Sequence, residues 1–514
     1  MKKFTLFILL FFLFSICNSQ QAYFNKTVFP YSGSNNLWSI VEMDSTYYVL
    51  SGNVDTPYTW FQTNCILNVN KAGNIINKKA WWDSSYAYAK APNNSLIKTS
   101  DNHLVYVGYI KDTLSNKDGY LVKLNKNFDT LWTRTFTHPD TFAASQVGAD
   151  IYNSFTAIRE TWDKGYIISG NYNKDCIAGN IRSYLLKTDS LGYIEWIKTY
   201  PNVQYIFDIE IVNDSGFVFT DFQNGFHINK TNTLGDIIWR KIPNSETHLV
   251  SGSVEVLSDG NYVIMAPYVY YNPFPNFYQY AVNIIKYDSS GQIIWDKKYK
   301  LFQSFECVPL GQYSNLAILS DKSIMVSGTS IVINPLDTNE SGHKGVLMKL
   351  NQNGDSLWAR YYGYGEFEDD CQFNDIVLTD DGGFLGVGWH KHYQTGITWQ
   401  DAWLVKLDSM GCDTPGCHTV GINISTPLNV RNVIIYPNPA SNEITIDFGE
   451  TLEQDGFVEI YNITGMLVSR RTRFTSNENS NKVKIDVSHL KTGLYLGKII
   501  FNTGEVGNFK FIVE

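Results

Sequence analysis

The sequence has no basic footprint. Lysine and arginine number 41 against 50 acidic residues, and the formal charge is −9. A protein that binds nucleic acid neutralises phosphates with clustered basic side chains, and no such cluster occurs, so nucleic acid is excluded as a partner. Charge of either sign is sparse, at 18%. Beyond the N-terminal segment no apolar run approaches the ~20 residues that a membrane-spanning helix needs, so no transmembrane segment is expected. A nucleophile elbow, a phosphate loop, a zinc-protease helix and a Cys–His signature are also missing. Nothing in the chain has the specificity of a catalytic motif.

Aromatic residues are plentiful instead, at 15%, with 33 tyrosines and 30 phenylalanines. They favour strands, where large rings pack on a pleated surface. A length of 514 residues exceeds one ordinary core, so at least two domains are expected. The first residues, MKKFTLFILLFFLFSICNSQ, place Lys2 and Lys3 before an apolar core too short to span a bilayer and small residues before Gln20. That pattern is a secretory signal peptide over residues 1–19. The bulky Ile16 before Cys17 argues against a lipoprotein cleavage site.

One phrase recurs. "DSSGQIIWDKKY" begins at Asp288, "DSLGYIEWIKTY" at Asp189, "TNTLGDIIWRKI" at Thr231 and "NQNGDSLWARYY" at Asn351. Each follows an apolar run, an aspartate-led turn and a second apolar run, as in "IVLTDDGGFLGVG" from Ile376. The turn aspartates are Asp44, Asp101, Asp163, Asp214, Asp259, Asp321 and Asp381, seven copies about 45 to 62 residues apart. That spacing is near the blade length of a β-propeller. Glycines 73, 192, 235, 291 and 354 suit turns that need positive φ. Trp196, Trp239, Trp295 and Trp358 stand four residues beyond the last four of these. Trp132 fits without a glycine, and Asn77 replaces tryptophan in the first copy. Each unit is thus four short antiparallel strands, a to d, and the tryptophan of strand d is expected to wedge between neighbouring blades. The last copy lacks strand d, because Pro415 stands where tryptophan would. "YFNKTVFP" at residues 23–30 resembles "EWIKTYP" at 195–201, so the N-terminal segment should complete blade seven and close the ring.

After a linker at 418–431, strand-like runs separated by turns suggest a small Ig-like β-sandwich over 432–514. The fold class expected is all-β, a seven-bladed propeller over 20–417 followed by that sandwich. "YPNPASNEITIDF" from Tyr436, "VEIYNITGMLV" from Val458, "VSHLKTGLYLGKI" from Val487 and the terminal "KFIVE" resemble the C-terminal sorting domain of the Bacteroidetes type IX secretion system. The resemblance implies export across the outer membrane, a secreted or surface location, and the secretion machinery as a partner. The repeats resemble those carried in front of such domains, which implies an ectodomain and no particular reaction. The turn also resembles that of quinoprotein propellers. It is one residue short of their docking motif and lacks an adjacent cysteine pair, so no quinone is inferred.

Six cysteines remain beyond the leader. Cys412 and Cys417 flank Asp-Thr-Pro-Gly, a turn that brings chain ends together, and are expected to form a disulfide. Cys307 and Cys371 occupy equivalent places in consecutive repeats, which makes a second bridge conceivable. Pairing of Cys65 and Cys176 does not follow from spacing.

The a–b and c–d turns share one face of the disc, and the longer b–c and d–a loops share the other, where binding usually resides. Aromatics crowd three b–c loops: Tyr58 and Trp60 in blade one, Tyr270, Tyr271 and Phe274 in blade five, Trp389, Tyr393 and Trp399 in blade seven. They offer stacking faces to a glycan or a protein ligand, or order their loops by packing on one another. The acidic run "GEFEDD" at 365–370 offers Glu366, Glu368, Asp369 and Asp370 as an acid–base pair for a glycoside or as oxygen ligands for calcium. By composition alone it reads as a solvated loop. His390 and His392 would share one strand face without a third metal ligand. The functional expectation is a secreted or surface binding or adhesion module. The alternative is a carbohydrate-active enzyme, a glycoside hydrolase or polysaccharide lyase, on the same scaffold.

Overall fold

Seven four-stranded repeats of the sequence become seven antiparallel sheets in the computed structural model, which contains strands and no helix among the described residues. Those residues are 23–514 except 29–34, 56–61, 82–85, 91–93, 113–115, 141–152, 174–180, 213–215, 244–251, 273–276, 300–314, 334–340, 365–368, 392–399, 414–432, 449–454, 463–467, 470–471, 475–480 and 502–505. The blades cover residues 36–80, 86–136, 153–200, 205–241, 253–299, 316–362 and 370–407. Blade two is irregular, because its innermost strand is split into Tyr86–Lys90 and Leu96–Lys98, both paired with Leu104–Asp112. Blade seven holds only three strands from its own repeat. Its fourth is Phe24–Val28, which runs antiparallel to Gln400–Leu407 in the register Phe24↔Lys406 to Val28↔Ala402.

The recurring tryptophan wedges onto the next blade. In six seams the ring at the start of strand d lies against the positive-φ glycine of the following c–d turn. A Cβ on Gly192 would come within 2.9 Å of Trp132, one on Gly354 within 3.0 Å of Trp295, and one on Gly411 within 2.5 Å of Trp358. Phe24 plays this part for Gly73 of blade one. Two residues on, a basic side chain holds the same turn: Lys26 Nζ donates to the Ala72 carbonyl at 2.9 Å, Lys297 to Asp355 at 2.6 Å, and Arg360 Nε to the Met410 carbonyl at 3.0 Å. Four residues on, Tyr200 and Tyr362 donate to the carbonyls of Gly235 and Gly411, each at 2.7 Å. The W-x-(K/R)-x-Y run is therefore the half of a latch whose other half is the neighbour's turn. The seam between blades one and two replaces both halves together. Asn77 stands for tryptophan, and the next turn presents Phe128, 1% exposed and edge-on to Tyr48 at 5.8 Å. Lys79 still donates to the carbonyl of that turn residue at 2.6 Å.

Five of the turn aspartates are held from within their own blade by a strand-c lysine, as in Lys123–Asp101 at 2.7 Å, Lys187–Asp163 at 2.7 Å and Lys406–Asp381 at 2.9 Å; Asp44 instead meets Lys126 of the next blade at 3.6 Å, and Asp214 lies outside the described residues. The innermost strands meet around the axis in a buried polar hub. β-Bulges precede Ser39, Ala157, Asp208 and Asp375, and a bulge re-aims the residue that follows it. Asp375 accepts from Ser39 Oγ at 3.1 Å, Ile40 N at 3.0 Å, Asn315 Nδ2 at 2.7 Å and Ile376 N at 2.8 Å. Asp208 accepts from Ser253 Oγ at 2.9 Å, Val254 N at 3.1 Å, Asn94 Nδ2 at 2.9 Å and Arg159 Nη2 at 3.0 Å. Buried carboxylates satisfied in this way specify the register of several blades at once.

Burial lifts the Asp375 carboxyl to about 6, against the opposing hydrogen bonds from Asn315, Ile40, Ile376 and Ser39. Its folded pKa is thus above the unfolded value. The stabilisation from the bound proton is complete below about pH 4 and is lost as pH rises through about 6, a difference on the order of 3 kcal/mol. Glu210 and Glu255, also raised by burial, add to the same trend. Urea unfolding between pH 5 and 7 should show stability falling with pH, and Asp375→Asn should reduce that slope by about one proton. An unchanged slope would contradict the assignment.

The C-terminal region forms a sandwich of two sheets. One holds Ile434–Tyr436, Glu443–Asp447 and Lys482–Asp486; the other holds Thr472–Phe474, Gly456–Asn462, Gly493–Phe501 and Val506–Val513. Alternate residues such as Ile444, Ile446, Val458, Ile460 and Phe511 fill the space between them. The segment after Tyr436 docks on the last strand: Ala440 N donates to the Ile512 carbonyl at 2.8 Å, Ile512 N to Asn438 Oδ1 at 2.9 Å, and Glu514 N to the Ala440 carbonyl at 3.0 Å. The first and last motifs of this domain therefore meet in space.

Candidate binding face

The chain leaves strand b and re-enters strand c on the loop face, and the blades differ there in height. Blade four turns back tightly, with Phe217–Phe222 and Phe226–Thr231 joined through Asn224 and Gly225, both at positive φ. Among the described residues blade five has the longest paired b and c strands. Residues 267–280, expected as a loop, are instead a continued ladder of Tyr262–Asn272 with Phe277–Tyr287, so that Tyr270 faces Gln279 and Tyr271 faces Tyr278 in register. Only 273–276 lie between the paired residues. Backbone pairing satisfies the N–H and C=O groups that an open loop would leave to water.

Of the aromatic residues expected on this face, Tyr270 and Tyr271 stand on that hairpin and Trp389 on strand b of blade seven, Phe384–Lys391. Tyr58, Trp60, Phe274, Tyr393 and Trp399 lie outside the described residues, as do Glu366, Glu368 and His392. Trp389 is half-buried and is paired with Gln372 on one side and Ala402 on the other.

Neutral amides gather at the seam of blades seven and one. Gln372 Nε2 donates to Asn374 Oδ1 at 3.1 Å, Asn374 Nδ2 to Asn36 Oδ1 at 2.8 Å and to the Leu37 carbonyl at 2.6 Å, and Asn36 Nδ2 to Gln400 Oε1 at 3.2 Å. Sequence reasoning missed these residues as a group, because they come together only where blades seven and one meet.

The end of the acidic run departs from the expectation of a solvated loop. Asp369 and Asp370 are buried, at 0% and 6% exposure, because the d–a connection enters the seam between blades six and seven. Asp369 Oδ2 lies 3.4 Å from His390 Nε2, and its carbonyl accepts from Lys344 Nζ at 2.8 Å. His390 meets the Tyr364 ring edge-on at 5.2 Å. Asp370 Oδ1 accepts both the backbone N–H and Nδ1 of His343, each at 2.7 Å. The His390–Asp369 pair has no exposed surface, whereas the His343 side chain is 34% exposed. Among the described residues no group of three or more His, Cys, Asp and Glu is placed to hold a metal ion.

Cys371 is a free thiol, which overturns the conceivable bridge to Cys307. Burial pushes it up to about 12, and it accepts the Tyr364 N–H at 3.2 Å. Cys412 is disulfide-bonded; Cys417, its expected partner, lies outside the described residues.

No curated protein matches the chain. Solved structures similar to it include a Bacteroides caccae protein of unknown function at 10% identity, covering 64% of this chain and 94% of that one, with a TM-score of 0.35. Polysaccharide lyase Uly1 is similar at 8% identity over 77% and 93% of the two chains, with a TM-score of 0.41. BBS1N in complex with ARL6DN is similar at 10% identity over 75% and 97%, with a TM-score of 0.40. Residues 434–514 match the family described as the secretion system C-terminal sorting domain. The chain is therefore a β-propeller protein that carries a type IX secretion sorting domain and is exported to the cell surface or the extracellular space.

Proposed function

We propose that the propeller is a surface binding or adhesion module whose loop face takes an extended ligand, with the sorting domain as its contact to the secretion machinery. The observation that carries this reading is the state of the axial carboxylates. Catalytic acids in a propeller would have to converge in an open cleft, but Asp208 and Asp375 are buried and accept five and four hydrogen bonds from the blades. Other charged groups near the axis, Arg159 paired with Glu210 and the neighbouring Glu255, lie toward the opposite, turn-bearing end of the innermost strands.

Tyr58, Trp60, Tyr270, Tyr271, Phe274, Trp389, Tyr393 and Trp399 would form the rim, with blades seven and one adjacent in the ring. Stacking on several rings tolerates varied partners and needs no catalytic group. Replacing Trp60 and Trp399 together by alanine should weaken binding roughly 5- to 150-fold, at about 0.5–1.5 kcal/mol per ring. The melting curve should not move. Unchanged affinity in a titration of the double variant would remove the rim from the reading.

One observation favours the enzyme reading. His343 is half-exposed and its Nδ1 is held by a buried carboxylate, the arrangement that orients an imidazole for proton transfer. Turnover of a polysaccharide that is lost in His343→Ala would turn the reading toward a carbohydrate-active enzyme.

A further inference from the structure

We propose that the seam between blades seven and one holds a saccharide subsite, in which the Trp389 indole stacks on a sugar ring and Gln372 hydrogen-bonds its hydroxyls. This rests on the binding-module reading and names its ligand class. Trp389 and Gln372 are direct cross-strand partners, so their side chains share one face of the sheet. Gln400 is paired with Lys391, two residues beyond Trp389, and so belongs to the same face. The neighbouring Ala402 contributes only a methyl group and is wholly buried. The large ring therefore stands beside a small core residue and remains half-exposed. Trp403, on the opposite face of the same blade, is 0% exposed and stacked on Phe373 at 4.6 Å. That contrast separates a core indole from one that reaches the surface.

The polar groups beside Trp389 select the ligand. Gln372, Asn374, Asn36 and Gln400 are uncharged, and each amide carries donors and an acceptor; Lys391, the cation on the same strand face, has the buried carboxylate of Asp370 as its cross-strand neighbour. Gln372 is held through its Nε2 by Asn374, and Gln400 through its Oε1 by Asn36. Ordered amides match hydroxyls, which also donate and accept, whereas a phosphate or sulfate calls for guanidinium or ammonium groups. An apolar ring face bordered by such amides complements a pyranose, which has C–H groups on its faces and hydroxyls at its edge. A peptide that adds as a strand needs a free sheet edge. Phe384–Lys391 has none, since it is paired on both sides with Asp370–Leu378 and Gln400–Leu407.

The test titrates the mature full chain with neutral hexasaccharides of β-1,4-linked glucose, mannose and xylose. An alginate hexamer and an unstructured peptide serve as controls. Binding is read by calorimetry and tryptophan fluorescence. At least one neutral hexasaccharide should bind, and Trp389→Ala should weaken it about 10-fold, the equivalent of ~1.4 kcal/mol. Gln372→Leu, which keeps the volume and removes the amide, should weaken it by a similar factor, with melting midpoints unchanged in both. If Trp389→Ala does not fold, Gln372→Leu carries the test alone. Saccharide binding untouched by these substitutions would overturn the subsite and leave the binding module standing. With no neutral hexasaccharide bound, binding of the peptide would overturn the ligand class, and binding of alginate would overturn the selection of a neutral sugar. Binding of nothing in the panel would overturn the subsite, and an equally negative protein-ligand array would remove the binding module as well.

Discussion

Deleting residues 23–29 should destabilise the entire propeller and not blade seven alone. The strand Phe24–Val28 supplies five consecutive register pairs to Gln400–Leu407. It also supplies the latch to blade one, through Phe24 and Lys26 on the turn at Gly73. Asn25 adds a third link: its Oδ1 accepts from Trp403 Nε1 at 2.8 Å and its Nδ2 donates to the Gly363 carbonyl at 2.8 Å. One short segment thus touches blades six, seven and one. Without it, Gln400–Leu407 becomes a bare edge, and hydrophobic side chains between blades seven and one, among them Leu37, Val49 and Leu404, lose their cover. The loss should exceed the ~3–5 kcal/mol typical of a single large core truncation, and the exposed edge should promote aggregation. Thermal melting of the truncated mature chain checks this; a melt like that of the intact mature protein would contradict ring closure by this strand.

Removing residues 432–514 should leave a folded propeller that stays in the periplasm. The sandwich has its own core, with Ile444, Ile446, Ile460 and Phe511 packed together, so the propeller loses no core of its own when the domain is absent. Export should fall to background, because the sorting family matches only within this segment, at 434–514. Protease accessibility on intact cells and fractionation would measure the change. Surface display at the normal level would contradict the sorting role. A subtler variant follows from the docking of the first motif on the last strand. Asn438→Ala removes the acceptor for Ile512 N and should reduce export through loosening of that end, at a cost of about 1 kcal/mol.

The ring was legible in the sequence because its devices repeat. Tryptophan four residues beyond a turn glycine, and aspartate in the a–b turn, recur at blade spacing. What each tryptophan touches was not legible, because its partner is the turn one repeat later and the pairing exists only across a seam. The exception at Asn77 and Phe128 shows the point: read along the chain these are two unrelated substitutions, and across the seam they are one. The hub was invisible for the opposite reason. Ser39, Ala157, Asp208, Ser253, Asn315 and Asp375 share a place and not a residue type, so no pattern announces them. Burial of Asp369 and Asp370 escaped composition because an acidic run looks solvated until the course of the d–a connection is known. The amides around Trp389 likewise become a group only when blades seven and one close on each other. Paired backbone at Tyr270 and Tyr271 was masked by Pro267 and by the crowd of aromatics, which read as a loop.

The most direct measurement exposes the mature protein to an array of polysaccharides and surface proteins, then assays every bound polysaccharide for new reducing ends and for unsaturated sugar products. A binding module on this propeller gives saturable binding of at least one ligand, weakened in the Trp60 and Trp399 double variant, with no product formed. Product formation that depends on His343, Asp369 or Asp370 would contradict it and establish an enzyme on the same scaffold.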